Sequence, residues 1–327
     1  MSIDLKLFLK KLGLFLIPFA LYGLAVLFID PFNYFAVPSP IADQLKQEIS
    51  FKLNYAMWKM FEFRREPLPH ILLGDSRMMT LKPDLIEATC GRRYYNFAYG
   101  GGSLKEAAAT FWYANELTGL KSVVIGLDLN SYNGSDFKDR VSEVEGAIHN
   151  PFLYLTNNTV MISAWKLVVS SLTGKMDRIG QPIGDRESFW RHQLDVTAKV
   201  NFGNYKKPVA YRKQLQAIAD HCRSREIELV FIIFPSHKDL MDKIDDYGLR
   251  PDDQAMREDL ARLGKVYDFA WDNDLTRDRT AFKDPYHFTP EVEEDIIRTV
   301  WGREHFFVRI YGQGVAVPET PSRDSES

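Results

Sequence analysis

The sequence predicts a three-layered α/β domain around a mostly parallel sheet, preceded by a membrane-spanning helix. Two observations support this fold class. Short apolar runs that end in turn residues alternate with longer amphipathic segments, as buried strands and their covering helices do in α/β proteins. At the N-terminus, residues 12–29 read LGLFLIPFALYGLAVLFI, a run of eighteen residues without a charge.

The N-terminal run has the length of a membrane span. As a helix it would extend about 27 Å at ~1.5 Å per residue, close to the thickness of the hydrocarbon core. Lys6, Lys10 and Lys11 precede it, whereas Asp30 follows it and the next basic residue is Lys46. The positive-inside rule therefore places the N-terminus in the cytoplasm and the remaining chain outside it. The alternatives are a cleaved signal peptide, for which no persuasive cleavage site is present, and a buried core helix.

Charge and cysteine usage narrow the classes of function. The formal net charge is -3 and charged residues make up 26% of the chain, so no polybasic footprint for nucleic acid is present. The two cysteines, Cys90 and Cys222, form no CxxC motif and no Cys/His cluster. We therefore expect neither a metal nor a cofactor, and two free thiols rather than a disulfide.

The pattern of apolar runs predicts the organisation of the chain. Residues 31–40 are predicted as a stiff interfacial linker and 41–312 as the α/β domain, which starts with an amphipathic helix over 41–64. Ser103 and Glu106 form a capping-box signature at the start of a predicted helix. The predicted strands are 70–74, 94–98, 122–129 and 228–234, and further helices are predicted over 104–117 and 209–225.

Two segments depart from the strand–helix rhythm. Residues 131–205 are predicted as an insertion with an apolar helix near 152–172, which either caps the site, meets a partner, or is an ordinary core helix. Residues 313–327 are rich in Pro, Ser and Glu, a composition typical of a disordered tail.

Two short motifs carry candidate chemistry. Ser76 follows the strand in ILLGDSR, at the carboxyl end where open α/β sheets gather their active sites. Asp284 and His287 lie in DPYHFTP, just before a helix that Pro290 is expected to start with Thr289 as its cap. At this spacing one carboxylate can orient the imidazole that deprotonates a serine. Taken singly, each motif is also compatible with an ordinary turn or a structural histidine.

The order of these blocks resembles that of the SGNH/GDSL hydrolases over about residues 68–302. The resemblance implies a flavodoxin-like α/β/α fold, a triad of Ser76, Asp284 and His287, and an oxyanion hole with an N–H from Gly100 or Gly101. In that family a Gly-x-Asn block supplies an amide, but the aligned position in Gly126-Leu-Asp128-Leu-Asn130 is Asp128. A carboxylate cannot donate to an oxyanion, so either Asn130 substitutes or the third donor is missing.

The N-terminal anchor makes the chain similar to the SGNH-like proteins that accompany membrane-bound O-acyltransferases in envelope polysaccharide modification. This resemblance implies a periplasmic serine esterase or O-acyltransferase that acts through an acyl-enzyme on Ser76, with a polysaccharide or acyl ester as substrate and such an acyltransferase as partner. The alternatives are a non-catalytic assembly or carbohydrate-binding factor and a lipid esterase. The acyl group, the acceptor and the oligomeric state are left open.

Two further side chains are candidates for substrate binding. Arg77 is adjacent to Ser76, where it either holds an anionic substrate or pairs with Asp75. His237 follows the fourth predicted strand at the same sheet edge, where it lines the pocket, acts as a second base, or has only a structural role.

Overall fold

A computed structural model describes residues 3–135, 138–175 and 184–318. Most of the predicted disordered tail, residues 319–327, lies outside this range. The helices are α1 (Ile3–Ile29), α2 (Asp43–Lys46), α3 (Tyr55–Arg65), α4 (Ser76–Thr80), α5 (Pro83–Cys90), α6 (Leu104–Leu117), α7 (Arg140–His149), α8 (Pro151–Leu155), α9 (Asn158–Thr173), α10 (Arg186–His192), α11 (Ala198–Gly203), α12 (Val209–Ser224), α13 (Lys238–Asp246), α14 (Arg250–Leu263), α15 (Asp274–Arg277) and α16 (Pro290–Trp301). Two π-helical segments, Gln47–Phe51 and Gln193–Thr197, and a 3₁₀ turn, Arg279–Ala281, complete the helical structure.

The strands form one sheet in the order β2-β1-β3-β4-β5-β6. Their bounds are β1 (His70–Leu73), β2 (Tyr95–Asn96), β3 (Ser122–Leu127), β4 (Glu228–Ile233), β5 (Lys265–Asp268) and β6 (Arg309–Tyr311). The first five strands are parallel, and β6 pairs antiparallel with β5 at the edge. The fold is therefore the predicted α/β class with a mostly parallel sheet.

Alternate side chains of the strands face two helical layers. Leu72, Val124 and Ile232 belong to one apolar cluster, together with Ile296 of α16 and Ile86 of α5. On the other side α12 packs against α6 and α14. Burial on both faces explains why β3 reads as a continuous apolar run rather than an alternating one.

The chain divides into two compact units. The sheet and its helices form one unit, residues 66–139 and 182–327, which also contains the free thiols Cys90 and Cys222. The second unit is helical and comprises residues 1–65 and 140–181. The residues predicted as one insertion, 131–205, are thus split between the units, and the helical residues 41–65 group with the N-terminal helix, not with the sheet.

The N-terminal helix is long and apolar enough to cross a membrane over Leu5–Ile29. The loop that follows it is tightly held. The buried Asp30 carboxylate accepts hydrogen bonds from the backbone N–H groups of Tyr34, Phe35 and Ala36 at 2.7–3.1 Å. Because three backbone donors satisfy this carboxylate, the turn after the helix is well ordered rather than a simple spacer.

Candidate active site

The site lies at the topological switch point of the sheet, between β1 and β3. The chain continues from β1 to β2 on one side of it and then to β3 on its other side. In open α/β sheets this switch point forms a crevice at the carboxyl ends of the strands. Ser76 follows β1 and Asn130 follows β3, so the topology brings two sequence-distant segments to one crevice.

Ser76 is the first residue of α4, and close backbone packing holds this turn. Gly74 has φ +152°, and a Cβ there would approach the carbonyl oxygen of Gly126 to 2.7 Å. A Cβ on Gly102 would lie 2.8 Å from the carbonyl oxygen of Gly74. Glycine is therefore required at positions 74 and 102, where the loops after β1 and β2 approach each other and the backbone of β3. Asp75 caps α4 by accepting from the N–H of Arg77 at 2.9 Å.

A hydrogen-bonded chain connects the serine to the DPYH loop. The Ser76 hydroxyl lies 2.8 Å from Nε2 of His287, and Nδ1 of His287 lies 2.8 Å from Oδ2 of Asp284. Asp284 is buried and also accepts from the backbone N–H groups of Tyr286 and His287. With Asp284 on Nδ1, the Nδ1–H tautomer is favoured and Nε2 can accept the serine proton.

The loop that carries Asp284 and His287 is fixed from both ends. Phe282 and Phe288, both buried, form an isolated antiparallel bridge across it, and the N–H of His237 donates to the carbonyl of Pro285 at 3.0 Å. Pro290 is the first residue of α16 as predicted, but the side chain of Thr289 makes no capping hydrogen bond. The loop is therefore held by buried aromatic side chains and backbone hydrogen bonds, and not by a side-chain cap on α16.

Arg77 lies between two carboxylates. It is 2% exposed, its Nη2 lies 2.5 Å from Oδ2 of Asp75, and its Nη1 lies 2.9 Å from Oδ2 of Asp128. Burial acts to lower the pKa of Arg77, but Asp128 and Asp75 outweigh it and raise that pKa above its ordinary value. Burial likewise acts to raise the pKa of Asp75, and Arg77 holds it below its usual range. Of the two alternatives for Arg77, the structure shows the ion pair with Asp75.

The arrangement around Arg77 accounts for the carboxylate at position 128. One oxygen of Asp128 faces Arg77, and the other accepts from the N–H and the hydroxyl of Ser131 at 2.9 and 3.1 Å. Asp128 is not among the residues that line the crevice, whereas Asn130 is. The negative charge is thus paired with a buried guanidinium instead of facing the reacting serine.

Three donors are available beside Ser76. Its own N–H lies at the first position of α4, where helical geometry leaves it without a partner. The other two candidate donors, the side-chain amide of Asn130 and the N–H of Gly101, belong to residues that line the crevice with Ser76. Gly101, with φ +59°, lines the crevice, but Gly100, the other predicted glycine, does not.

His237 does not line the crevice. It is buried, its Nδ1 accepts from the N–H of Asp239 at the start of α13, and its ring packs edge-on against Trp190. Burial lowers its pKa, which favours the neutral imidazole. These contacts favour the structural alternative for His237 over a pocket-lining residue or a second base.

The crevice itself is an open cleft of about 770 Å³ with a hydroxyl- and amide-rich wall. Sequence reasoning did not single out the residues on one side of it, in the π-helical segment Gln193–Thr197 and around α11, because their polar side chains carry no recognisable motif. Among the lining residues only Val200 has a hydrocarbon side chain. The polar neutral lining residues besides Ser76 are Asn130, Ser131, Asn133, Ser135, Gln193, Thr197, Asn201, Asn204 and Tyr286.

Comparison with known proteins gives only distant similarities. No protein-family model matches the chain, and no curated protein matches it. A candidate platelet activating factor from Streptococcus pneumonia superposes with a TM-score of 0.39 at 10% identity, covering 79% of this chain and 92% of that one. A candidate SGNH hydrolase from Slackia heliotrinireducens gives 0.37 at 13% identity, covering 71% and 97%. A candidate acylhydrolase from Bacteroides fragilis gives 0.35 at 12% identity, covering 74% and 93%. These TM-scores and identities are too low to indicate the function of this chain.

Proposed function

We propose that the chain is a membrane-anchored serine esterase or O-acyltransferase of the SGNH type. The observation that carries this proposal is the hydrogen-bonded chain from Ser76 through His287 to the buried Asp284. A nucleophile, a base and a group that orients the base are the three parts that activate a serine. They come from segments 211 residues apart in sequence, which makes a purely local structural explanation inadequate.

The mechanism follows from the roles of these atoms. Nε2 of His287 takes the proton of Ser76 as Oγ attacks an ester carbonyl, and the N–H groups of Ser76 and Gly101 and the amide of Asn130 donate to the resulting oxyanion. The imidazolium then returns its proton to the leaving alcohol, which leaves an acyl group on Ser76. An acceptor hydroxyl, deprotonated by His287, attacks the acyl-enzyme and regenerates the serine. A sugar acceptor gives transfer and water gives hydrolysis.

The amide and hydroxyl side chains that line the cleft support an acceptor with many hydroxyl groups. Amide and hydroxyl side chains donate to and accept from sugar hydroxyls, and the cleft is open enough for a chain to enter. A lipid esterase would need a long apolar pocket, and the lining gives that alternative no support. The non-catalytic alternative rested on Asp128, a carboxylate that cannot donate to an oxyanion and would repel it; this carboxylate pairs with Arg77. We therefore favour an envelope polysaccharide as the acceptor.

The N-terminal helix supports a location at the membrane. With Lys6, Lys10 and Lys11 on the cytoplasmic side, the sheet-containing unit would lie in the periplasm. We expect a membrane-bound O-acyltransferase to supply the acyl group, because the anchor would hold both proteins in one membrane.

Labelling with a fluorophosphonate tests the serine chemistry. The intact full-length chain is expected to gain one phosphonyl adduct on Ser76, because only an activated serine attacks this reagent rapidly. Ser135→Ala removes another serine of the same cleft and should leave labelling unchanged, whereas Ser76→Ala should abolish it. Labelling that persists in Ser76→Ala, or never occurs in the folded wild type, would contradict the proposal. Mass analysis with an acyl donor, with and without polysaccharide, then separates transfer from hydrolysis.

Asn130→Ala tests the third oxyanion donor. Loss of one such donor costs roughly 2.7–4 kcal/mol of transition-state stabilisation, so kcat should fall by about 10²–10³ with little change in KM. Asn204→Ala alters an exposed amide of the same cleft and should retain most of the activity when a small activated ester is hydrolysed, because that reaction needs no sugar acceptor. Equal kcat and KM values for the two variants would contradict the role of Asn130 as an oxyanion donor.

A further inference from the structure

Helices α8 and α9 expose an unusual amount of apolar surface. Residues 151–173 contain a single charged residue, Lys166. One side of α9 packs inside the helical unit through Val160 and Leu167, and the Ser163 hydroxyl bonds to that of Ser50 at 2.7 Å. The other side is exposed, with Trp165 at 69% and Leu172 at 82%. We call the exposed set, which continues onto α8, the apolar face: Phe152, Leu153, Met161, Ile162, Trp165 and Leu172.

The apolar face is not a scatter of single residues. Met161, Ile162, Trp165 and Leu172 follow helical spacing along one side of α9. Soluble surfaces rarely expose a continuous apolar stripe of this kind. One apolar side of α9 is packed inside the helical unit. The other apolar side is exposed, so it requires a second apolar environment to cover it.

The position of α8 relative to the N-terminal helix indicates what that environment is. Helix α9 packs against α1, and the hydroxyl of Tyr22 in α1 donates to the carbonyl oxygen of Leu155 at 2.7 Å. Tyr22 precedes Ile29, the end of the uncharged run, by seven residues. At ~1.5 Å per residue this is about 10 Å, less than the ~15 Å half-thickness of a hydrocarbon core. With Ile29 at the boundary, the α8–α9 junction lies at the level of the outer half of the bilayer.

We propose that the apolar face is embedded in the extracytoplasmic leaflet beside α1, so that the helical unit is held by the membrane through α8 and α9 as well as through its span. This inference rests on the membrane anchor of the proposed function. Interfacial helices bury their apolar side about 5–10 Å into the boundary of headgroups and acyl chains. Trp165 suits that boundary, and Lys166 can extend its ammonium toward the headgroups. At the start of α9, the side-chain amide of Asn157 donates to Glu143 at 2.8 Å, so these two polar groups are paired with each other.

Quenching by brominated lipids tests the proposal on the full-length chain. The protein is reconstituted into phosphatidylcholine vesicles with bromines on the acyl chains, and tryptophan emission is compared with that in unbrominated vesicles. Wild type should show a quenched fraction that Trp165→Phe loses. Trp112→Phe is the matched control, because Trp112 is 37% exposed but lies on α6 in the sheet-containing unit. It should retain the quenched fraction.

The outcomes separate this inference from the proposals on which it rests. If the protein floats with the vesicles but Trp165→Phe does not reduce the quenching, the proposal that the apolar face is embedded would be overturned. The membrane anchor would still stand. Protein that does not float would overturn the anchor and the embedded face together. Protection of Trp165 only when another membrane protein is added would assign the apolar face to that protein and overturn the lipid proposal. Fluorophosphonate labelling of Ser76 is independent of all three results.

Discussion

Asp284→Asn is expected to lower kcat for ester cleavage by about four orders of magnitude. The amide nitrogen of asparagine would favour the wrong tautomer of His287, while the amide oxygen can still accept from the N–H groups of Tyr286 and His287. The loss should therefore appear in turnover and not in folding. Steady-state hydrolysis of an activated ester, with thermal unfolding of the same preparations, measures both quantities.

The controls distinguish catalysis from loop stability. Asp272→Asn changes an aspartate on another loop, where it pairs with Arg277, and should leave turnover close to that of wild type. His287→Gln should lower kcat by about 10⁶, more than Asp284→Asn, and the double variant should fall little below His287→Gln, because residues of a triad act as a unit. Near-wild-type turnover in Asp284→Asn, or additive losses in the double variant, would contradict the assigned roles.

Arg77→Met is expected to reduce the free energy of unfolding by about 3–5 kcal/mol. The substitution leaves the carboxylates of Asp75 and Asp128, which are 11% and 14% exposed, without the guanidinium that pairs with both. Arg92→Met is the control, because Arg92 forms an exposed ion pair with Glu228 and its loss should cost under about 1 kcal/mol. Chemical denaturation followed by far-UV circular dichroism measures the difference.

A rescue experiment identifies the cause of that loss. If unpaired charge is responsible, the triple variant with Asp75→Asn and Asp128→Asn added to Arg77→Met should recover part of the stability, since no buried charge remains. A triple variant that is less stable than Arg77→Met would show that the network stabilises the fold by geometry or hydrogen bonding instead. Equal stabilities of Arg77→Met and Arg92→Met would contradict the energetic role of this network.

Local sequence signals predicted the elements that bear the site. The capping box of Ser103 and Glu106 is present, and the predicted helix over 104–117 has the observed bounds. The apolar run at 122–129 became β3, although the strand ends at Leu127, where the chain turns toward Asp128. Such features depend on neighbours three or four residues away, so the sequence contains the information for them.

Other elements lack a local signal. Strand β6 has three residues and exists because Val266 and Tyr267 of β5 offer an unpaired edge to Tyr311 and Ile310. The grouping of residues 140–173 with the N-terminal helices is equally invisible in sequence, because the helical pattern shows that a face is apolar but not what covers it.

The sequence likewise predicted one part of the candidate site, and the tertiary structure was needed for the rest. By itself the sequence determined which residue types follow which strands, and hence that Ser76, Asp284 and His287 are the reactive candidates. Only the tertiary structure decided that Ser76 and His287 lie within hydrogen-bond distance, that Asp128 pairs with Arg77, and that His237 lies away from the cleft. The physical reason is that distances between distant segments depend on packing of the whole sheet, whereas motifs record only local chemistry.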